Sequence, residues 1–417
     1  MSSLAPMESP RCRHCDAPLE HTFADLGMSP IANDNVLPER ASAMEPFYPL
    51  HARVCATCFL VQLEAVESAS DIFRYDYAYF SSFSPSWLKH SSRYVEAMTE
   101  RWGLGADSQV VELASNDGYL LQYFVERCIP VLGVEPTANT AQVAIDKGIP
   151  TDVAFFGVET ARRLAPTASA DLLLGNNVLA HVPDINDFVA GMKILLKPGG
   201  VITMEFPHLE RLIELRQWDT IYHEHFSYLS FLTTSRIFAA QGLRLFDVEE
   251  LPTHGGSLRI FGCHDDDASK PKTAAATALL ERERASGLDR VETYTAFHQR
   301  VEADKREILS FLIDLKRQGK RIVGYGAPAK GNTLLNFCGA GRDFLDYTCD
   351  LSPHKQGRLL PGTHIPIEAP ERIAQDRPDV VLILPWNLRD EVMEQLAFIR
   401  EWGGVFAARA PELRLFP

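Results

Sequence analysis

The chain has 417 residues, enough for two or three domains, and its 46% hydrophobic and 23% charged residues are ordinary for a soluble globular protein. Its net charge of −14 argues against nucleic acid or an anionic membrane as a partner, because an acidic surface gains nothing from counterion release at phosphates. With no apolar run of the roughly 20 residues that span a bilayer, and no basic-then-apolar start typical of a signal peptide, we expect a cytoplasmic protein.

Two cysteine pairs stand near the N-terminus. "CRHC" carries Cys12 and Cys15, and "CATC" carries Cys55 and Cys58. Each C-x2-C turn directs two thiolates toward one point, and two turns complete a tetrahedral site with no open position for substrate. A redox dithiol is the alternative, but two paired knuckles favour one structural zinc ion in a module of residues 1–68. The remaining cysteines occur singly among apolar residues and are expected to fill cores: Cys128, Cys263, Cys338 and Cys349.

Strand and helix patterns alternate after an amphipathic helix predicted from Trp87 onward. "QVVELASNDGYLLQYFVER" and "PVLGVEPTANTAQVAIDKG" each predict a strand, a turn and a helix. "LRLFDVEEL" and "SLRIFGCH" follow without a helix between them and predict an antiparallel edge hairpin. This alternation predicts an α/β fold with a doubly wound, mostly parallel sheet over residues 69–264.

The first glycine turn suggests a cofactor. In "VVELASNDGYL" a strand ends at Glu112, and the next strand ends at Glu135, whose carboxylate can accept both hydrogen bonds of a ribose. A dinucleotide needs the same acid. However, an acidic turn repels a pyrophosphate, whereas Glu112 suits a cationic sulfonium amino acid. Together with "LLKPGGVITMEFP", which is typical of methyltransferases, the turn favours S-adenosylmethionine. The other residues expected around this cofactor are Ala114, Asn116, Gly118, Asn176 and Asn177, with His181 facing the same crevice.

Residues 265–417 begin with long charged helices and continue as a second, smaller Rossmann-like α/β domain. In "GYGAPAKGN", the spacing of Gly324, Gly326 and Ala329 fits a weak dinucleotide fingerprint, which leaves an NAD-dependent oxidoreductase as an alternative. The unit is short, and its cation and polar side chains at a helix start also suit the diphosphate of a nucleotide-linked substrate. The residues expected to contact that substrate are Lys330, Asn332, Thr333, Asp350 and Lys355.

One family matches these pieces in chain order. "CRHC", "CATC", "YFSSFS", "VVELASNDGYLL", "GNNVLAHVPD", "YHEHFSYLS", "HGGSLRIF", "GYGAPAKGNTLLNF" and "HKQGRLLPGTHIPI" resemble the C-methyltransferases that act on nucleotide-linked deoxy-4-ketosugars. The resemblance spans nearly the whole chain. It implies an N-terminal zinc-binding domain, a central class I methyltransferase domain and a C-terminal domain that helps to hold the nucleotide sugar.

The resemblance also implies roles within "YHEHFSYLS". His225 is the expected general base that removes a proton beside the ketone, and Tyr222, Glu224 and His181 are its expected supports. A metal site built from His223, His225 and His181 is an alternative, as is O- or N-methyl transfer. Tyr77 and Tyr79 are expected over substrate and cofactor, and His254 beside the substrate. No obligate protein partner is expected, and the protein is predicted to be a monomer or dimer.

Overall fold

The computed structural model describes residues 10–66, 80–409 and 412–417, so Tyr77 and Tyr79 lie outside the described residues. The strands form three sheets, which confirms the α/β fold. The strands are β1 (His21–Ser29), β2 (Tyr48–Val54), β3 (Val61–Leu63), β4 (Val110–Leu113), β5 (Val131–Val134), β6 (Thr151–Asp152), β7 (Ala170–Asn176), β8 (Leu196–Pro207), β9 (Ser227–Tyr228), β10 (Leu243–Leu251), β11 (Ser257–His264), β12 (Ile322–Tyr325), β13 (Leu345–Cys349), β14 (Ile367–Glu368), β15 (Val380–Ile383), β16 (Val405–Arg409) and β17 (Leu413–Phe416).

The α-helices lie mostly between the strands of the second and third sheets. The described helices are α1 (Pro85–Trp102), α2 (Leu121–Val125), α3 (Ala138–Asp146), α4 (Val158–Ala168), α5 (Ile185–Leu195), α6 (Leu209–Glu214), α7 (Phe231–Ala240), α8 (Ala274–Ala285), α9 (Val291–Arg317), α10 (Ala329–Cys338), α11 (Glu371–Asp376) and α12 (Arg389–Gln395). No helix in the described ranges combines the length and the apolar character needed to cross a membrane.

The central sheet has seven strands in the order β10-β11-β8-β7-β4-β5-β6. Strands β8 to β6 run parallel, and β10 and β11 add the expected antiparallel hairpin, with β10 at the edge. His254 stands shortly before β11, which lies inside the sheet between β10 and β8. All four residues of β4 are buried, since helices cover both faces. This is the class I methyltransferase arrangement. In such a sheet the ligand crevice lies where the strand order reverses, which here is at the carboxyl ends of β4 and β7.

Helix α1 begins and ends where its sequence dictates. The Ser84 hydroxyl accepts a hydrogen bond from the Trp87 backbone N–H, Pro85 occupies the first turn, and Gly103 ends the helix in the left-handed conformation with φ 61°. The helix packs Tyr94, among other side chains, against the central sheet, where its hydroxyl lies 2.5 Å from the Thr203 hydroxyl.

One strand of the N-terminal sheet belongs in sequence to the methyltransferase domain. Its order is β1-β2-β3-β9, all antiparallel, and β9 comes from within "YHEHFSYLS". The C-terminal sheet has six strands in the order β14-β13-β12-β15-β16-β17. Helix α9, which leads into that sheet, packs on β1, where the Phe23 and Phe297 rings stack with centroids 4.6 Å apart. The N-terminal and C-terminal modules therefore share one core, which also includes Trp218, Ile221 and Tyr228.

The single cysteines behave differently from one another. Cys263, Cys338 and Cys349 are buried, as expected. The expectation for Cys128 is wrong, because its side chain is exposed. It lies in the turn after α2 with φ 57°, and this left-handed backbone carries it out of the core.

Candidate active site and zinc centre

The two cysteine knuckles converge. The sulfurs of Cys12, Cys15, Cys55 and Cys58 all lie within 4.8 Å of one another, and the Cys12–Cys58 and Cys15–Cys55 sulfur pairs are each 3.5 Å apart. Zinc–sulfur bonds of about 2.3 Å in a tetrahedron place sulfurs roughly 3.8 Å apart, so the set fits zinc. Four sulfurs close the coordination sphere, and the site is structural.

The turn after β4, residues 114–118, is here called the donor turn. Ala114, Asn116 and Gly118 have φ values of 55°, 50° and 75°. A side chain at Gly118 would collide with Ile149, so glycine permits the close approach of α3 to the turn. The turn therefore adopts a tight conformation, and the backbone N–H groups of Ala114, Ser115, Asn116 and Gly118 bond within the protein.

Glu135 holds the donor turn in shape. Its carboxylate accepts hydrogen bonds from the Asn116 backbone N–H (2.9 Å), the Thr137 backbone N–H (2.9 Å) and the Thr137 hydroxyl. Burial raises the pKa of Glu135, and these donors oppose the rise. The Thr140 side chain is a further hydrogen-bond partner of this carboxylate.

Polar side chains beneath the donor turn fit a polar ligand. Glu112 is fully buried beside Tyr119, and burial raises the pKa of both groups. Asn176 ends β7 and Asn177 follows with φ 53°. The Asn176 Nδ2 and Asn177 Oδ1 atoms are buried and find no hydrogen-bond partner among the described residues. Unsatisfied buried polar atoms cost about 1–3 kcal/mol each, which a bound ligand would recover.

The "FSS" motif covers the donor turn. In a short 3-10 helix, Ser81–Phe83, the Ser81 backbone N–H donates to Asn116 Oδ1 at 2.9 Å, and the Ser82 hydroxyl donates to Asp117 Oδ2. Lys147 adds a hydrogen bond to the Asp117 carbonyl at 2.8 Å. Asn116 and Asp117 thus hold the "FSS" motif over the turn.

Residues 222–230 are here called the catalytic segment, after the role that the sequence predicts for them, and they include His225. The His225 Nδ1 atom lies 3.1 Å from the Thr220 carbonyl oxygen. A carbonyl only accepts, so Nδ1 carries the proton and Nε2 keeps its lone pair. The Tyr222 and His181 rings lie 4.1 and 4.6 Å from the His225 ring, measured between centroids. Burial, followed by the neighbouring His181, lowers the pKa of His225 well below its usual range.

Glu224 and His223 face the N-terminal module. Asn33 Nδ2 donates to Glu224 Oε1 at 2.5 Å, and burial raises the pKa of Glu224 to about 7. His223 Nε2 donates to the Pro49 carbonyl at 3.2 Å. His223 therefore points away from His225. Within the described ranges, the metal-ligand atoms of His223, His225 and His181 do not converge as the cysteine sulfurs do.

The C-terminal domain brings Lys330 to the crevice. Its Nζ donates to Asn387 Oδ1 at 2.7 Å and lies 4.5 Å from the centre of the Trp386 ring. Burial lowers the pKa of Lys330 to about 8. Trp386 touches the loop of His254, since a side chain at Gly255 would meet that indole. Burial, with Lys330 as the next cause, lowers the pKa of His254 to about 4. Lys330, His254 and the catalytic segment thus border one space.

The other predicted substrate residues have mixed surroundings. Asn332 is buried, and both of its side-chain polar atoms lack a partner in the described chain. Thr333 donates to the Ile221 carbonyl at 3.0 Å and so supports the catalytic segment. Asp350 accepts from the Ala327 backbone N–H at 2.7 Å, and Lys355 donates to the Ala327 carbonyl at 2.9 Å. Asp350 and Lys355 therefore brace the second glycine turn from within the protein.

Comparison with known proteins covers all three modules. Residues 12–73 match the family model "Putative zinc binding domain", residues 87–248 match "Methyltransferase domain", and residues 252–411 match "C-methyltransferase C-terminal domain". C-methyltransferase NovU of Streptomyces niveus is 35% identical over 405 residues, which are 97% of this chain and 96% of NovU. The chain belongs to this C-methyltransferase family. The match decides against the NAD-dependent oxidoreductase that the second glycine turn left open.

Two further relatives of this C-methyltransferase cover less of the chain. A ubiquinone biosynthesis O-methyltransferase of Paramagnetospirillum magneticum is 30% identical over 98 residues, 22% of this chain and 37% of that protein. A solved SAM-dependent methyltransferase from Anabaena variabilis covers 49% of this chain and 99% of its own at 12% identity, with a TM-score of 0.38, which is too low to bear on function.

Several residues of the C-methyltransferase site were not expected from its sequence. Asn33 bonds to Glu224, and the Thr220 carbonyl fixes the tautomer of His225. The Tyr228 ring lies 6.0 Å from the His225 ring. Tyr228 belongs to the dense "YHEHFSYLS" motif, which could have suggested it, whereas Asn33 stands in an ordinary turn-rich stretch and Thr220 acts through its backbone.

Proposed function

We propose that this C-methyltransferase transfers the methyl group of S-adenosylmethionine to the carbon beside the ketone of a nucleotide-linked deoxy-4-ketosugar, with dTDP as the expected nucleotide. His225 is the general base. The observation that carries the proposal is the hydrogen bond from His225 Nδ1 to the Thr220 carbonyl, which leaves Nε2 with a lone pair in a buried, aromatic-lined space.

A carbon acid requires two groups from the protein. A ketone makes the adjacent C–H acidic, because the electron pair left behind moves onto the carbonyl oxygen. His225 Nε2 takes the proton, and a hydrogen-bond donor near the oxygen stabilises the enolate. Tyr222, whose ring lies 4.1 Å from that of His225, is the candidate donor. The enolate carbon then forms a C–C bond to the methyl group, and the sulfonium becomes a neutral thioether.

The surroundings keep the base ready. Burial lowers the pKa of His225, so the imidazole is unprotonated at neutral pH before substrate arrives. The donated hydrogen bond to Thr220 holds the ring and strengthens as the imidazole acquires its second proton. Glu224 and His181 are the other supporting residues. Burial lowers the pKa of His181 to about 4. His181 is therefore neutral at pH 7.

Each ligand has a side of the crevice. S-adenosylmethionine supplies an electrophilic methyl group, and the donor turn with Glu112, Glu135, Asn176 and Asn177 is its proposed binding site. Lys330 and the unpaired side chain of Asn332, on the C-terminal side, are the proposed contacts of the nucleotide sugar, with His254 beside the sugar. The methyl group and the ketone then meet at His225.

Product analysis tests the reaction type. The protein is incubated with methyl-13C S-adenosylmethionine and a dTDP-linked deoxy-4-ketosugar, and the product is examined by 13C NMR. We expect the labelled methyl to show one-bond coupling across a new C–C bond in a 13C-labelled sugar. The matched control is the same sugar with its ketone reduced to an alcohol, which should not be methylated. Label on oxygen or nitrogen, or methylation of the reduced sugar, contradicts the proposal.

A further inference from the structure

Gln62 lies between the zinc centre and the catalytic segment. It is only 1% exposed and stands at the middle of β3. Its backbone pairs with Ser227 of β9, and the next residue, Leu63, donates its N–H to the Phe226 carbonyl at 3.1 Å. β3 is therefore the strand on which the catalytic segment is built.

The side chain of Gln62 reaches in the other direction, to the first cysteine knuckle. Its Oε1 accepts from the Arg13 backbone N–H at 2.9 Å. Because that N–H can only donate, the amide is fixed with its NH2 group toward Cys12 Sγ, at 3.2 Å. The same Nε2 lies 3.4 Å from the Leu60 carbonyl. Both polar atoms of the amide are thus engaged within the zinc module.

The knuckle makes a second contact with the catalytic segment. The Arg13 guanidinium lies 5.3 Å from the centre of the Phe226 ring and donates to the Leu63 carbonyl. It also donates to the Pro183 carbonyl at 2.7 Å. Residues of the "CRHC" turn therefore touch both β3 and the segment it carries.

The metal centre needs the donor that Gln62 provides. Zn²⁺ with four thiolates carries a net charge of about −2, and N–H groups directed at the sulfurs stabilise that charge. In the described chain the Gln62 amide and the Thr57 backbone N–H, 3.4 Å from Cys55 Sγ, provide such donors. A donor placed on β3 couples the charge of the metal centre to the position of that strand.

We propose that Gln62 is a positioning residue through which the zinc centre fixes the catalytic segment. Its side-chain amide donates a hydrogen bond to Cys12, and its backbone pairs with β9. A change at the metal centre therefore displaces β9, and with it His225, which stands three residues before Tyr228. The zinc ion then acts on turnover by holding the base in place, without touching substrate.

Gln62→Glu tests this link with little change of shape. The carboxylate still accepts from Arg13 but places a negative oxygen against the Cys12 thiolate. We expect apparent zinc affinity, measured by competition with a chromogenic chelator, to fall roughly 10- to 100-fold. Backbone amides of residues 226–228 should exchange faster in hydrogen–deuterium exchange mass spectrometry, and kcat should fall while the KM for S-adenosylmethionine is unchanged.

Two variants serve as controls. Arg53 is the partner of Gln62 on β2, and its side-chain ion pair is with Glu64 and not with a cysteine, so Arg53→Gln perturbs the same sheet without removing a donor to sulfur. It should keep zinc affinity and exchange rates. Gln62→Met removes the donor without adding charge and should fall between Gln62→Glu and the native protein, which keeps the test valid if Gln62→Glu does not fold.

Native zinc affinity in Gln62→Glu and Gln62→Met overturns the proposal, as does weakened affinity with native exchange in residues 226–228. The kcat readout rests on the proposed function, whereas zinc affinity and exchange require no substrate. If zinc affinity and exchange change as expected but kcat does not, the coupling exists without a role in turnover, and that outcome counts against the positioning role while leaving the methyl transfer itself untouched.

Discussion

The donor turn and the catalytic segment are built in different ways. The donor turn is local: Glu135 reaches Asn116 across 19 positions of the chain, and the two residues follow the neighbouring strands β5 and β4. The catalytic segment is assembled from afar, since Asn33 reaches Glu224 across 191 positions and Thr333 reaches Ile221 across 112. A local site depends on its own few residues, whereas the segment also depends on the modules on either side of it.

The largest effect is expected at the base. His225→Asn should lower kcat about 100- to 10,000-fold while both ligands still bind, because general base action contributes that factor. His223→Asn is the matched control, two positions away and turned toward Pro49, and should retain most turnover. Steady-state kinetics with calorimetry of ligand binding checks both. Equal losses in the two variants would mean that the segment, and not the base, had been damaged.

Distant support of the catalytic segment can be broken at Arg409. This buried guanidinium bonds to Asp219 at 2.9 Å, just before the segment, and to Asp304 at 2.7 Å. Arg409→Met leaves the buried Asp219 without its cation, while Asp304 keeps Arg216, and it should lower the free energy of unfolding by about 3–5 kcal/mol in urea titration. Arg414→Met, which removes an exposed pair with Glu412, is the control and should change stability by less than about 1 kcal/mol.

Glu224 should make stability depend on pH. Its folded pKa of about 7 lies above the ordinary value of 4.5, so the native state holds the proton more tightly than the unfolded state. This favourable contribution is full below pH 4.5 and is lost as pH rises through 7, by up to about 3 kcal/mol. Glu224→Gln should therefore gain stability relative to the native protein between pH 5 and pH 8, as measured by thermal melts.

The control for that pH dependence is Glu281→Gln, an exposed position on α8. Its melting temperature should follow that of the native protein at every pH. A constant difference between Glu224→Gln and the native protein from pH 5 to pH 8 would show that the Glu224 carboxyl titrates normally.

A substitution at Glu135, which supports the donor turn, should weaken the binding of one ligand only. Glu135→Gln keeps the shape of the side chain but removes the charge that a ribose hydroxyl would meet, so affinity for S-adenosylmethionine should fall about 10- to 100-fold. Affinity for the nucleotide sugar should be unchanged in calorimetry. Equal loss of both affinities would mean that the bonds from Asn116 and Thr137 to Glu135 maintain the whole crevice.

The same contrast explains what the sequence could predict. The cysteine spacing and the strand–turn–helix pattern around Glu112 and Glu135 are local signals, and they predicted the zinc cluster and the central sheet correctly. Whether Cys128 is buried or exposed depends on the left-handed backbone of one turn, and composition does not reveal that conformation.

The surroundings of the catalytic segment could not be predicted from local patterns. A strand of two residues, β9, has no periodicity, so nothing in "YHEHFSYLS" indicates that it joins the N-terminal sheet. The prominence of His225 came from residue types and from family resemblance. The Thr220 carbonyl that bonds to His225 and the Asn33 side chain that bonds to Glu224 carry no sequence signal of their own.

Proton exchange without methyl transfer tests the role of His225 most directly. The enzyme is incubated with the ketosugar and S-adenosylhomocysteine in deuterated water, so that the C–H bond can break while no methyl group can move. Deuterium should enter the carbon beside the ketone with the native protein and with His223→Asn, and not with His225→Asn. Exchange at the native rate in His225→Asn would contradict the account and assign the base to another residue of the site.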